Sequence, residues 1–126
     1  MATGQINVET ETLGKANKFI ESLEQEEKVT AYAMILLLQK LPYDAGLVKI
    51  VDKKSRIYEV RGSTKDFWIR LFWFYHKVPH ASKSIIVITN GCIKKQNKTD
   101  PNEIEVAKRI QSINIIDIVI VIFYLK

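Results

Sequence analysis

The sequence contains few of the residues that build disulfide bridges or metal sites. Its 126 residues include one cysteine, Cys92, and two histidines, His76 and His80. A single cysteine cannot form a disulfide within the chain, and structural zinc sites take four cysteine or histidine ligands. We therefore expect no disulfide framework, no metal site and no other cofactor. Cys92 is interpreted as a small, partly buried residue.

Long apolar segments and export signals are also missing. The most hydrophobic stretch, Ile113 to Leu125, is interrupted by Asn114 and Asp117. It is shorter than the roughly 20 residues that a membrane helix requires. The first eleven residues are polar and acidic, unlike the basic and then apolar start of a signal peptide. These features predict a cytoplasmic protein without a membrane anchor.

Acidic residues are scarce in the middle of the chain. From Lys49 to Lys98 there are twelve lysines and arginines against three acidic residues, a local charge of +9 in a chain whose net charge is +5. Such a dense basic stretch favours a polyanionic partner, because each neutralised phosphate releases condensed counterions. The alternative interpretation is a basic face that is only solvated.

The first third of the chain has helical periodicity. From Ala16 to Leu23 the apolar residues recur on one helix face, and Val29 to Leu41 is apolar almost all round until Pro42 ends it. Two helices joined so closely predict an antiparallel hairpin that packs on a flat partner.

The flat partner is predicted from segments rich in β-branched and aromatic residues. The longest segment is apolar on both faces except at Arg70, which predicts a central strand. The predicted strands are Leu47 to Val51, Arg56 to Arg61, Phe67 to His76 and Ser84 to Ile93, with a weaker edge strand at Gln5 to Thr10.

A third helix should begin at Asp100, because an acidic N-cap, a proline and then Glu103 form a strong start signal. It is expected to end near Ser112, and the Ile- and Val-rich segment Ile115 to Leu125 is interpreted as a buried strand or an aggregation-prone appendage. The predicted fold class is α+β. An antiparallel-rich twisted sheet of four to five strands carries the helix hairpin on one face and a C-terminal helix. We expect one domain over residues 1–112 and a hydrophobic tail over 113–126.

Two arginines of the predicted strands are candidate phosphate ligands. Alternation places Arg61 and Glu59 on the same face of their strand, either as a surface ion pair or as a phosphate contact. Arg70 lies in an aromatic run, so its guanidinium needs a carboxylate or a phosphate to offset lost hydration. If Glu59 is that partner, the role of Arg70 is structural. If RNA is the partner, Arg70 could stabilise a phosphorane transition state.

Lysines and histidines near the strand ends complete the candidate set. Lys94, Lys95 and Lys98 follow the last strand, although lysine clusters are usually only solvated. His76 and His80 could transfer protons near neutral pH, but a hairpin loop is the favoured interpretation of both.

Several of these residues together resemble a known family. They are Ser55 to Arg61, the Trp68-Ile69-Arg70-Leu71 motif, Ile93 to Thr99 and then Glu103 to Ala107, with Gly14 to Leu23 similar to a first helix. This order resembles the HigB-like branch of the RelE/ParE superfamily of toxins. The resemblance covers roughly Glu9 to Ile110.

The resemblance implies a toxin of a type II toxin–antitoxin system that inhibits translation and arrests growth. Such a toxin is a metal-independent endoribonuclease, or mRNA interferase, that cuts messenger RNA on the ribosome and is neutralised by a helix-turn-helix antitoxin, with a heterotetramer as one possible complex. By position, Arg61 and Arg70 look like the arginines that hold the scissile phosphate, and Lys94 and Lys95 like the basic residues that close the site. The further candidates are Tyr75, His76 and Glu59 as acid or base, and Lys49, Lys53, Lys54, Arg56 and Lys98 as RNA contacts.

Two departures keep other functions open. The family often has a histidine and an aromatic residue where this chain has Asn90-Gly91-Cys92, and the hydrophobic tail is foreign to the pattern. A gyrase-directed or RNA-binding relative without nuclease activity is one alternative, because a fold does not determine a function. A degenerate, inactive toxin is the other.

Overall fold

The computed structural model describes residues 9–42, 47–77, 84–94 and 99–124, and for residues 114–124 it describes the course of the backbone. The chain is α+β, as predicted, with three helices and five strands in these residues. In chain order the elements are β1 (Thr10–Thr12), α1 (Gly14–Glu21), α2 (Gln25–Lys40), β2 (Val48–Asp52), β3 (Ile57–Ser63), β4 (Trp68–Lys77), β5 (Ser84–Lys94) and α3 (Pro101–Tyr124).

The strands form one sheet in the order β1-β5-β4-β3-β2. Strands β2 to β5 pair antiparallel to their neighbours, whereas β1 runs parallel to β5. The long aromatic strand β4 lies at the centre, which confirms the prediction made from its two apolar faces. Of the predicted edge strand, residues 5–8 lie outside the described part, and the strand that forms begins at Thr10.

The helix hairpin covers one face of the sheet. Its buried residues Ala16, Ile20 and Met34 join Leu71 and Trp73 of β4 in the larger apolar core. The helices approach the strands closely at two glycines. A Cβ on Gly62 would lie 2.6 Å from the Met34 sulfur, and one on Gly91 would lie 2.5 Å from Cδ2 of Phe19. Larger residues at these two positions would push α2 and α1 away from the sheet.

On the opposite face of the sheet, α3 covers one part and polar side chains occupy another. Ile57, Phe72, Phe74, Val87 and Ala107 form a second core under the helix. The predicted start of α3 is confirmed. The Asn102 backbone N–H donates to Asp100 Oδ1 over 2.9 Å, and Pro101 is the first helical residue.

The C-terminal end of α3 corrects one prediction. The helix does not stop near Ser112 but continues to Tyr124, so the predicted helix end and the expected buried strand were wrong. The alternative of an aggregation-prone appendage stays a prediction. The segment contains no glycine or proline to stop the helix, and extending an existing helix costs far less than nucleating one. Within the described residues, no helix has both the length and the hydropathy that a membrane span needs.

Candidate functional site

The sheet brings Arg61 and Arg70 side by side. They are directly paired residues of the antiparallel strands β3 and β4. Alternation along β3 directs Glu59 to the same face, which is the face that carries α3. Two guanidinium groups at paired positions repel each other unless an anion is close to them. The way in which each arginine is held therefore decides what the pair can bind.

Arg70 is held by a buried network. Its side chain and that of Glu59 are both 0 % exposed, with Nη1 of Arg70 3.4 Å from Oε1 of Glu59. The same Nη1 donates to the Thr99 hydroxyl over 2.8 Å, and that hydroxyl donates to the Glu59 carboxylate over 2.7 Å. Glu59 is thus the carboxylate that offsets the lost hydration of Arg70, as the structural alternative anticipated.

Arg61 is held differently. Its guanidinium carbon lies 5.3 Å from the centroid of the Trp68 ring, in a cation–π contact. The residue is partly exposed, and the ring packs against its guanidinium group. An arginine in this position can offer two N–H groups to a phosphate without first breaking a buried ion pair.

Two lysines flank the arginines. Lys49 pairs with Glu59 across β2 and β3, and its exposed amino group lies 3.9 Å from the second oxygen of that carboxylate. Lys94 lies at the end of β5 opposite Trp68 and donates to Asp100 Oδ2 over 3.1 Å. The backbone N–H of Asn102 and, to a smaller extent, Lys94 hold the pKa of Asp100 below its ordinary value. We call Lys49, Glu59, Arg61, Trp68, Arg70, Lys94 and Thr99 the arginine site.

The remaining predicted RNA contacts lie at the other end of β3. Lys53, Lys54 and Arg56 are exposed residues of the β2–β3 turn, and we call them the turn cluster. Arg56 precedes Arg61 by five residues on an extended strand, which is roughly 17 Å. Asp52 anchors the turn by accepting a hydrogen bond from the Ser55 N–H over 2.9 Å, which lowers the pKa of its carboxyl group.

Of the predicted acid and base candidates, Glu59 belongs to the arginine site, whereas Tyr75 and His76 lie away from it. Tyr75 projects to the helix-hairpin face, where its ring packs edge-on against Trp73. His76 is on the same face as Arg70 but six residues further along β4, roughly 20 Å away. Burial lowers the pKa of His76. Glu59 is close to Arg61, but its carboxylate is fully buried within the Arg70 network.

Cys92 and metal binding were the remaining chemical possibilities at the site. Cys92 pairs with Arg70 across β4 and β5, and burial raises the pKa of its thiol to about 11. The thiol therefore stays protonated at neutral pH and is a poor nucleophile. In the part of the chain that the structure describes, histidine, cysteine and carboxylate side chains form no group of three that could hold a metal ion.

Three predicted residues lie outside the described part of the chain: Lys95, Lys98 and His80. Two residues of the arginine site were not recognised from the sequence. Trp68 could have been found, because alternation places it on the face of Arg70, beside Arg61 on the neighbouring strand. Thr99 has no comparable signal, since only the packing of α3 against the sheet brings it to Glu59.

Comparison with known families identifies the family of this chain. The profile of the family described as Phage derived protein Gp49-like (DUF891) matches residues 18–112, which span α1 to the first half of α3. The chain belongs to the Gp49-like family. This is a toxin-like family of the RelE/HigB type, associated with the toxins of toxin–antitoxin systems, and such a toxin implies an antitoxin partner. The Gp49-like match contains every described residue of the arginine site and the turn cluster.

No curated protein and no solved structure matches this Gp49-like chain significantly.

Proposed function

We propose that this chain is the toxin of a type II toxin–antitoxin system and an endoribonuclease that cuts messenger RNA on the ribosome. The observation that supports the proposal most strongly is the position of Arg61. Arg61 is a partly exposed residue whose guanidinium lies over the Trp68 ring, next to a buried ion pair, with Lys49 and Lys94 on either side. This arrangement places positive charge at a fixed position on the face that carries α3.

The proposed reaction is attack of a ribose 2′-hydroxyl on its adjacent phosphate. The bond from that oxygen to phosphorus forms as the bond to the leaving 5′-oxygen breaks. The 2′-hydroxyl must lose a proton and the leaving oxygen must gain one. Negative charge grows on the phosphate oxygens, where Arg61 and the two lysines can stabilise it. Arg70 supports the site by neutralising Glu59, which would otherwise repel the phosphate.

The decisive experiment is inducible expression in a bacterial host, with primer extension on a reporter message. The intact chain is compared with Arg61→Ala, Arg61→Lys and, as a control of equal charge change, Lys15→Ala on the exposed side of α1. We expect cleavage within the translated region, a loss of at least about 100-fold for Arg61→Ala and partial retention for Arg61→Lys. The control should cleave like the intact chain.

Three other outcomes of this experiment would favour a different function or a narrower proposal. Growth arrest without cleavage would overturn the nuclease assignment and favour the gyrase-directed alternative. A folded chain that neither cuts nor arrests growth would favour an inactive toxin. Cleavage of naked RNA without ribosomes would remove the ribosome from the proposal while leaving the nuclease in place.

RNA binding without cleavage is a second candidate function. The observation that favours it is the separation of Tyr75 and His76 from Arg61, which leaves the buried Glu59 as the described candidate base. Crosslinking of the intact chain to ribosome-bound message, without new 5′ ends, would support this candidate. Loss of the crosslink in Arg61→Ala would assign the binding to the same site.

The proposal also includes the cellular location and the binding partner of the protein. We propose that it acts in the bacterial cytoplasm and that a helix-turn-helix antitoxin silences it, with a heterotetramer as the expected complex. Copurification of a tagged toxin with the product of a neighbouring gene, followed by mass measurement of the complex, tests both the partner and the stoichiometry.

A further inference from the structure

Helix α2 has an apolar stripe on the side that faces away from the sheet. Val29 is 60 % exposed, Tyr32 54 % and Leu36 55 %, and Ala33 between them is exposed as well. The same helix already buries Ala31, Met34 and Leu38 against the strands. A helix that packs on one side is expected to be polar on the other. The contiguous outer stripe therefore indicates a surface that is covered by a partner.

Charges of opposite sign lie at the two ends of this stripe. Glu26 is an exposed residue of the first turn of α2, and Lys40 is an exposed residue of its last turn. On a helical projection both lie to the same side of the stripe. The stripe is thus apolar in the middle, negative at one end and positive at the other.

We propose that the α2 stripe binds the α2 stripe of a second copy of this chain, with the two helices antiparallel. A two-fold axis between Tyr32 and Ala33 sets Val29 of each copy opposite Leu36 of the other, with the two Tyr32 rings on one side of the contact and the two small Ala33 residues on the other. The same axis brings Glu26 of one copy to Lys40 of the other, twice. A parallel arrangement would instead put like charges together.

The position of α2 makes this interface compatible with the arginine site. The helix hairpin lies on one face of the sheet and the arginine site lies on the other. A dimer through α2 therefore leaves both arginine sites directed outwards. The inference does not depend on the nuclease assignment, because it concerns a different surface and has a different readout.

The size of the stripe sets the expected strength of the dimer. A stable interface buries about 800 Å² on each partner, and one helix face offers less than that. We expect reversible association with a dissociation constant in the micromolar range.

Sedimentation equilibrium of the purified full-length chain over a range of concentrations tests the proposal. The intact chain should approach twice its 14.5 kDa mass as concentration rises. Glu26→Lys and Lys40→Glu should each weaken association at least about tenfold, because each places like charges together twice. The double variant Glu26→Lys/Lys40→Glu restores both pairs and should restore the dimer. Lys15→Glu, an exposed charge reversal on α1, is the matched control and should leave it unchanged.

A further variant tests the apolar part of the stripe. Leu36→Asp should give a folded monomer, because Leu36 is 55 % exposed in the single chain and its substitution acts mainly on the interface. A monomeric intact chain at every concentration would overturn the proposal and leave the stripe to a different protein such as the antitoxin. A dimer that survives Leu36→Asp and both single charge reversals would overturn it too, since association would then use another surface.

Discussion

The arginine site and the turn cluster come from the same basic stretch of sequence, yet the fold treats their charges very differently. At the site, Arg70 is buried on Glu59 and Arg61 is stacked on Trp68. In the turn cluster, Lys53, Lys54 and Arg56 extend into solvent from a β-turn. Cations that are held in place can stabilise charge at one position, whereas solvated cations attract a polyanion with little geometric preference. The basic stretch therefore supplies two kinds of cation, held and solvated, and substitutions at each should have different effects.

The largest effect is expected where a buried charge loses its partner. Arg70→Met leaves the Glu59 carboxylate buried without its main counter-charge, and we expect a loss of about 3–5 kcal/mol in the free energy of unfolding. Adding Glu59→Gln to Arg70→Met should recover most of that loss. Urea denaturation of the single and double variants measures both values. If the single and the double variant are equally unstable, the lost stability does not come from the unpaired carboxylate of Glu59.

A smaller effect is expected at Thr99, which joins α3 to the ion pair. Thr99→Val keeps the shape but removes a hydroxyl that both accepts from Arg70 and donates to Glu59, and we expect a loss of about 1–3 kcal/mol. Thr99→Ser retains the hydroxyl and should lose much less. Thermal or urea unfolding of the matched pair measures the difference. If Val and Ser are equally stable, the hydroxyl contributes nothing to the network.

The turn cluster should affect affinity but not the choice of cleavage site. In the triple variant Lys53→Gln/Lys54→Gln/Arg56→Gln, the slope of log K against log salt should fall by up to about 2–3 for RNA, with primer-extension products at unchanged positions. Filter binding at several salt concentrations measures the slope. A changed cleavage pattern would show that the turn cluster helps to position the RNA.

The smallest effect is expected from His76, at the same end of the sheet as the turn cluster. Burial lowers the pKa of His76 below its ordinary value of 6.5, so the unfolded chain binds the proton more readily than the folded one. The stabilising contribution of the neutral ring is complete above pH 6.5 and is lost as the pH falls towards the lowered pKa. Comparing the acid limb of stability for the intact chain and His76→Gln measures it. Parallel curves would rule out this contribution.

The secondary structure could be predicted almost entirely from local patterns. Alternation, helical periodicity and capping are local properties of the sequence. They therefore predict β4 from its aromatic run, α1 from its apolar periodicity and the start of α3 from the cap at Asp100. The end of α3 could not be predicted in this way. Its Ile and Val residues favour a strand, but the preceding helix simply continues through them.

The sequence by itself determined the fold class, the central position of β4 and the placement of Arg61 and Glu59 on one face of their strand. These follow from periodicity and from the order of the segments. Only the tertiary structure decided that Arg70 is buried on Glu59 and Thr99, that Arg61 lies on Trp68, and that Tyr75 and His76 lie elsewhere. The physical reason is that burial and partner choice depend on residues distant in sequence. Thr99 lies 40 positions from Glu59 and reaches it only because α3 packs across the sheet.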